Sequence, residues 1–316
     1  MLNSFQIFFL FAAFSQFILG IWGNGFLGLI NCIHWIKRSK ISLPNFIIMN
    51  LAFSRIIHQC VVIFDVTTLV FYPDFYYGVT LSQIRETSWT LSNYLNTWLS
   101  TCLSVFYCLK IATFSHPAFL WLKWRISQVL ACILLTCVLF FLFGTVLLIQ
   151  KFNIYSDLLK MRLITNNTEN VRSKGREFYF FHLLGLLSAV IPFIILLFSC
   201  LLIILSLRRH TRMMGQQVTA LRDSSTEAHV RATIVMFSFL FLFVFYLVIL
   251  FMGTASAFLK NGKVIVMITL LAAPIYPSVH SFILIQQNRD LKQAFLMLLW
   301  LKKGCMKGGG RGSFTH

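Results

Sequence analysis

Seven apolar stretches of bilayer-spanning length lie at about residues 7–33, 46–72, 87–114, 127–149, 179–207, 232–258 and 264–286 of this 316-residue chain. They leave it few ways to fold. Hydrocarbon offers the backbone no hydrogen-bonding partners, and a helix of about 20 apolar residues crosses it by satisfying its own N–H and C=O groups. Somewhat longer stretches cross at a tilt. Buried helices of a soluble core are shorter, and no soluble-type segment separates the seven. Hydrophobic residues make up 58% of the chain, and the mean hydropathy is +0.79. With 34 phenylalanines and only 9 acids, no water-soluble core of this size hides that surface. The expected fold class is an all-α membrane protein, a seven-transmembrane helix bundle over residues 1–300. A short tail without fixed structure is expected over 301–316.

The first stretch is too long for a signal peptide, and no Lys or Arg precedes it, so it reads as a retained helix. Cations set the orientation. Sixteen Lys and Arg follow the first, third, fifth and seventh stretches, against nine in the opposite loops. The N-terminus is therefore expected outside and the tail inside. Asn166-Asn167-Thr168 is a glycosylation sequon in the loop that this topology places outside. Seven of the eight cysteines, from Cys32 to Cys200, fall inside the stretches, and Cys305 lies in the tail, which leaves no candidate external disulfide.

The formal charge of +18 raises the question of nucleic acid, but the basic residues sit between apolar spans and form no free basic and aromatic surface. No zinc-ligand spacing, HExxH, GxSxG, phosphate loop or paired carboxylate occurs, so no enzyme, metal or cofactor is expected. A transporter would show an internal repeat, and a channel would need a polar stripe or a ring of acids. Neither is visible.

Polar residues inside spans are costly in lipid and usually face the bundle. Arg55 is the most expensive of them. Asn24 and a backbone carbonyl of the seventh span are its expected partners, with a structural clamp and a signalling element as the two readings. Asp65 lies ten residues nearer the outside, as a ligand contact or a hydrated helix end. The stretch from Trp89 to Arg125 carries Trp89 and Asn93 a helical turn apart, then a cationic, aromatic run. Pro117 is expected to stop the helix. Pro192 is expected to kink the fifth span, and Pro274 and Pro277 mark the seventh. Tyr246 reads as a pivot beneath a ligand or as a satisfied core tyrosine. Asn288 to Leu296 reads as a short amphipathic helix on the inner surface.

Three stretches, with Arg55, carry a family resemblance. They are Leu109-Lys110-Ile111-Ala112-Thr113-Phe114-Ser115 with the Trp-rich run after it, Leu205-Ser206-Leu207 with His210 and Met213, and Pro277-Ser278-Val279-His280-Ser281-Phe282-Ile283-Leu284-Ile285. Together they resemble the vertebrate bitter taste receptors of the type 2 family over essentially the whole length. They depart from ordinary rhodopsin-like receptors: Tyr107 and Lys110 stand where an Asp-Arg-Tyr would be, His280 follows Pro277 where an Asn-Pro-x-x-Tyr would be, and the usual external disulfide has no cysteines.

The resemblance implies a G-protein-coupled receptor of the plasma membrane. It would bind bitter small molecules in an outer cavity and activate a gustducin-type Gα with its βγ. Trp89 and Asn93 match cavity-lining residues of several members, and Tyr246 matches the tyrosine beneath. The indole offers a stacking or cation–π face, and the amide offers donor and acceptor together. Some relatives place an acid in the outer half of the seventh span. Thr269-Leu270-Leu271-Ala272 stands there, which leaves Asp65 as the nearest substitute. Activation is expected to run through Arg55, Tyr107, Lys110, His116, His210, Pro277 and His280. The sixth span would move about the Pro192 and Pro277 kinks and open an inner cleft lined by Tyr107, Lys110, His116, His210 and His280. The basic loops suit anionic lipid or an acidic G-protein surface.

Overall fold

The computed structural model describes residues 3–38, 42–76, 78–164, 176, 180, 183, 184, 187, 189–214, 224–255 and 262–308. All regular structure among them is helical: α1 Ser4–Arg38, α2 Leu43–Phe71, α3 Pro73–Tyr76, α4 Val79–Ile111, α5 Pro117–Trp124, α6 Ile126–Ile164, α7 Val190–Met214, α8 Ser224–Ala255, α9 Gly262–Ala272, α10 Ile275–Gln287 and α11 Arg289–Gly308. Six segments are long and apolar enough to cross a membrane: Ser4–Lys37, Leu43–Phe71, Ile126–Ile154, Val190–Arg209, Val230–Gly253 and Gly262–Gln287, the last formed by α9 and α10 in tandem.

At 33 residues, α4 is also long enough, but it is too polar to join those six. Its position explains why. It packs against α2, α6, α7 and α8, while α2, α1, α10, α8 and α7 touch one another in that order along an arc. A helix shielded by its neighbours can carry side chains that lipid would reject. Ser92, Asn96, Ser100 and Ser104 follow one another every four residues on one buried stripe. The peripheral α6 shows the opposite composition, turning Leu135, Leu139, Leu142, Phe143, Val146 and Ile149 outwards.

Several helix ends differ from the apolar boundaries. An apolar run measures hydrocarbon thickness, whereas a helix continues until its caps stop it. Thus α1 runs on to Arg38, and α6 continues to Ile164, well past residue 149. Pro117 does not end α4. That helix closes at Ile111, where Ala112 turns extended at ψ 142°. Pro117 instead opens α5, where a missing N–H leaves nothing unsatisfied, and His116 caps it by accepting from the Ala118 amide at 3.3 Å. Pro192 falls in the first turn of α7, directly after the turn at Ala189 and the helical Leu187. The break in the seventh apolar stretch is at Ala273–Pro274, between α9 and α10. Pro277 follows it in the first turn of α10, where its missing N–H removes the bond the Ala273 carbonyl would otherwise accept. The helix after the last span is α11, continuing to Gly308; residues 309–316 lie outside the described residues. Its Phe295 packs edge-on against Trp22 and Phe26 of α1, with ring centroids 5.2 and 5.4 Å away.

Candidate functional site

The candidate residues form a column along α4. At its N-terminal end, Arg85 faces Asp65 of α2 with Nε 3.8 Å from Oδ1, donates to the Tyr76 carbonyl at 3.1 Å, and lays its guanidinium 4.0 Å over the Tyr76 ring. Asp65 is buried, and its Oδ1 makes no hydrogen bond. The next residue, Glu86, pairs with buried Lys151 of α6. Two ion pairs therefore tie this end of α4 to helices on either side.

One turn further along, the half-buried Trp89 indole lies 4.7 Å, centroid to centroid, from the His58 ring of α2, and His58 Nδ1 meets the Ser92 hydroxyl at 3.1 Å. After another turn, Asn93 accepts a hydrogen bond from the Tyr246 hydroxyl of α8 at 2.7 Å. Tyr246 is fully enclosed, with the Tyr276 ring 5.2 Å and the Phe243 ring 6.4 Å away. Trp89 and Asn93, singled out by resemblance, thus share a face with Tyr246, and a direct bond joins two of the three. Asp65 stands about a turn beyond Trp89, engaged by Arg85.

Deeper still, Arg55 of α2 reaches zero exposure. Inserting an arginine at the centre of a span costs about 2.5–3.5 kcal/mol. Four hydrogen bonds to a charged group, at about 1.5–3 kcal/mol each, outweigh that cost. Nε donates to Asn96 Oδ1 at 2.9 Å, Nη1 to Ser281 Oγ at 2.7 Å, and Nη2 to Ser100 Oγ at 3.2 Å and His280 Nδ1 at 2.6 Å. Guanidinium only donates, so Nδ1 accepts and the His280 ring proton stands on Nε2. Asn24 is one step removed: it accepts from the Ser281 hydroxyl at 2.6 Å. The expected direct contact between Asn24 and Arg55 is therefore replaced by a relay, because Ser281 stands between them. Gln59, one turn from Arg55, donates to Ser278 at 2.8 Å.

The far end of α4 holds Tyr107 and Lys110, the latter exposed with its ammonium 5.4 Å over the Phe106 ring. Here the chain turns back on two bonds. Ser206 of α7 accepts from the Thr113 amide at 2.9 Å, and Lys123 donates to the Ala112 carbonyl at 3.2 Å. His116 lies exposed in the same turn. His280 does not join this group as expected. Its bond to Arg55 holds it at the level of Ser100, ten residues and about 15 Å along α4 from Lys110. Pro277 is buried near the start of α10, where its carbonyl lies 2.9 Å from the Ser281 hydroxyl as an alternative acceptor to Asn24. For His210 the backbone alone is described, and Asn166 lies outside the described residues.

Asn96, Ser100, Ser206, Ser278 and Ser281 were not singled out by their polarity. The signal was present as the four-residue repeat on α4 and the paired serines beside His280, but a serine among phenylalanines barely lowers local hydropathy. Among the described residues no three metal-ligating side chains come together. The arrangement is a set of interhelical hydrogen bonds, ion pairs and ring contacts.

The family model described as "Taste receptor protein (TAS2R)" matches residues 1–303. The chain is similar to "Taste receptor type 2 member 3" of Papio hamadryas, 43% identical over 304 residues and 96% of each chain. The protein of the same description from Homo sapiens also matches at 43% over 304 residues, again 96% of each chain. "Taste receptor type 2 member 7" of Pongo pygmaeus is 41% identical over 309 residues, 98% of this chain and 97% of its own.

Proposed function

The chain belongs to the taste receptor type 2 family, and from that premise we propose that it is a bitter taste receptor of the plasma membrane, coupling small-molecule agonists to a gustducin-type heterotrimeric G protein. It is a multi-pass membrane protein, and its relatives are receptors, not enzymes. The proposed topology has seven crossings in one domain, residues 1–300, with α4 as the third. It places the N-terminus and a glycosylated Asn166 outside and the tail inside.

The observation that carries the mechanism is the 2.7 Å bond from Tyr246 to Asn93, which ties α8 to α4 one turn below Trp89. An agonist stacked on Trp89 competes for the Asn93 amide, and whatever breaks this bond frees α8 to shift. Such a ligand populates the active arrangement because it binds that arrangement better. Asp65 Oδ1, with no hydrogen bond of its own, supplies an acceptor for a ligand donor or ammonium beyond Trp89. The shift reaches the Arg55 cluster through Tyr276 and His280 on α10, both stacked on Phe239 of α8. It then reaches the G protein through Tyr107, Lys110, His116 and His210, with Pro277 easing the motion of α10.

The test is calcium release in cells co-expressing the chain with a gustducin-type chimeric Gα, over a panel of bitter compounds, with surface levels matched. Trp89→Ala is expected to abolish agonist responses. Tyr246→Phe, which removes only the hydroxyl, is expected to raise agonist-independent signalling. A current or solute uptake that needs no G protein would overturn the proposal.

A further inference from the structure

The short helix α5 exposes what a water-facing loop would hide. Leu120, Trp121 and Trp124 are 41%, 56% and 88% exposed. Their spacing of three and four residues sets them on one face, while Phe119 is buried against Phe114 with ring centroids 5.1 Å apart. Eight residues make about 12 Å of helix, far too short to cross a bilayer. The exposed indoles therefore do not belong to a spanning face. Joining the end of α4 at Ile111 to the start of α6 at Ile126, α5 connects two helices that the proposed topology reads as crossings, which puts it at the boundary between hydrocarbon and water. Tryptophan is the side chain enriched at that depth. The charge around it has one sign. Arg125 holds its guanidinium 5.1 Å over the Trp121 ring, Lys110 is exposed nearby in the chain, and no acid occurs between Glu86 and Asp157.

We propose that α5 is an interfacial anchor. Leu120, Trp121 and Trp124 seat in the headgroup layer beside the bundle, and Arg125 pairs with the phosphate of an anionic phospholipid. The lipid's anionic character rests on the orientation proposed above, which places α5 at the cytoplasmic leaflet. The insertion of the indoles does not depend on it. An apolar face with a cationic rim and no acids suits a negatively charged membrane surface, where each basic residue strengthens attraction about fivefold.

The purified full chain in nanodiscs, with or without phosphatidylserine, tests this. The difference in emission between the parent and Trp124→Phe isolates that indole from the other six. Blue-shifted difference emission, quenched by lipids brominated high on the acyl chain and insensitive to iodide, is the expected result. Arg125→Gln is expected to lower the preference for spin-labelled phosphatidylserine over phosphatidylcholine about fivefold. Iodide-quenched emission that brominated lipid leaves untouched would overturn the proposal. So would shielding that appears only after G protein is added, which would make α5 a protein-docking surface. Neither assay uses an agonist, so their failure is separable from failure of the receptor reading, which the calcium response of Trp124→Phe reports independently.

Discussion

Arg55 concentrates the logic of single residues in this bundle. Its planar fork reaches four neutral partners on two helices, and a lysine, with three donors at one point, cannot reproduce that geometry. Arg55→Lys is expected to destabilise the fold by about 1–3 kcal/mol, enough to lower surface abundance several-fold at constant transcript. Within the cluster, Ser281→Ala should cost more than Ser100→Ala. Ser281 bonds both Arg55 and Asn24, at 2.7 and 2.6 Å, whereas Ser100 makes one 3.2 Å bond to Arg55. Thermal unfolding of the two purified variants checks the order.

At the scale of elements, the contacts that matter are close helix approaches. A Cβ on Gly20 would lie 2.5 Å from Gln59 Nε2, so Gly20→Ala must push that side chain away from Ser278. Its destabilisation is expected to match that of Gln59→Ala, and the double substitution should fall well short of the sum. At the other end of the bundle, Ser206→Ala unties the Thr113 turn. This should lower maximal G-protein activation while leaving agonist potency unchanged in the calcium assay. What was legible beforehand follows the same division. Hydropathy located the long helices because lipid imposes it. Pro117 was placed wrongly because a proline after an apolar run looks like a breaker, whereas it opens a helix. Trp89, Asn93 and Tyr246 stood out in the sequence and gained a ligand role through resemblance, but the bond between Asn93 and Tyr246 was not legible. Its partners are 153 residues apart, beyond any periodicity. Arg55 was conspicuous on cost alone, but Asn96 and Ser100 were not, since their stripe has meaning only once α4 is known to be central.

For the whole molecule, ion pairs stand where a disulfide would fix the start of α4. All seven cysteines from Cys32 to Cys200 are free. A membrane-impermeant reductant is therefore expected to leave agonist responses unchanged. Glu86→Gln, which removes the carboxylate charge that pairs with buried Lys151, should reduce surface expression. A reductant-sensitive response at constant surface level would contradict this.

The Arg55 cluster also bears on the order in which the protein is made. Ser281 and His280 lie 226 and 225 residues downstream of the arginine they satisfy. During synthesis, α2 enters the membrane long before α10 exists, and its guanidinium waits with half of its final partners missing. Completion of the last span is thus what turns a liability in lipid into a settled interior. A nascent chain stopped at Ala255 would carry a standing signal of incompleteness, a half-satisfied charge within the hydrocarbon, for the quality-control machinery of the membrane to detect. Such a chain is expected to be cleared faster in pulse-chase labelling than the same truncation carrying Arg55→Leu.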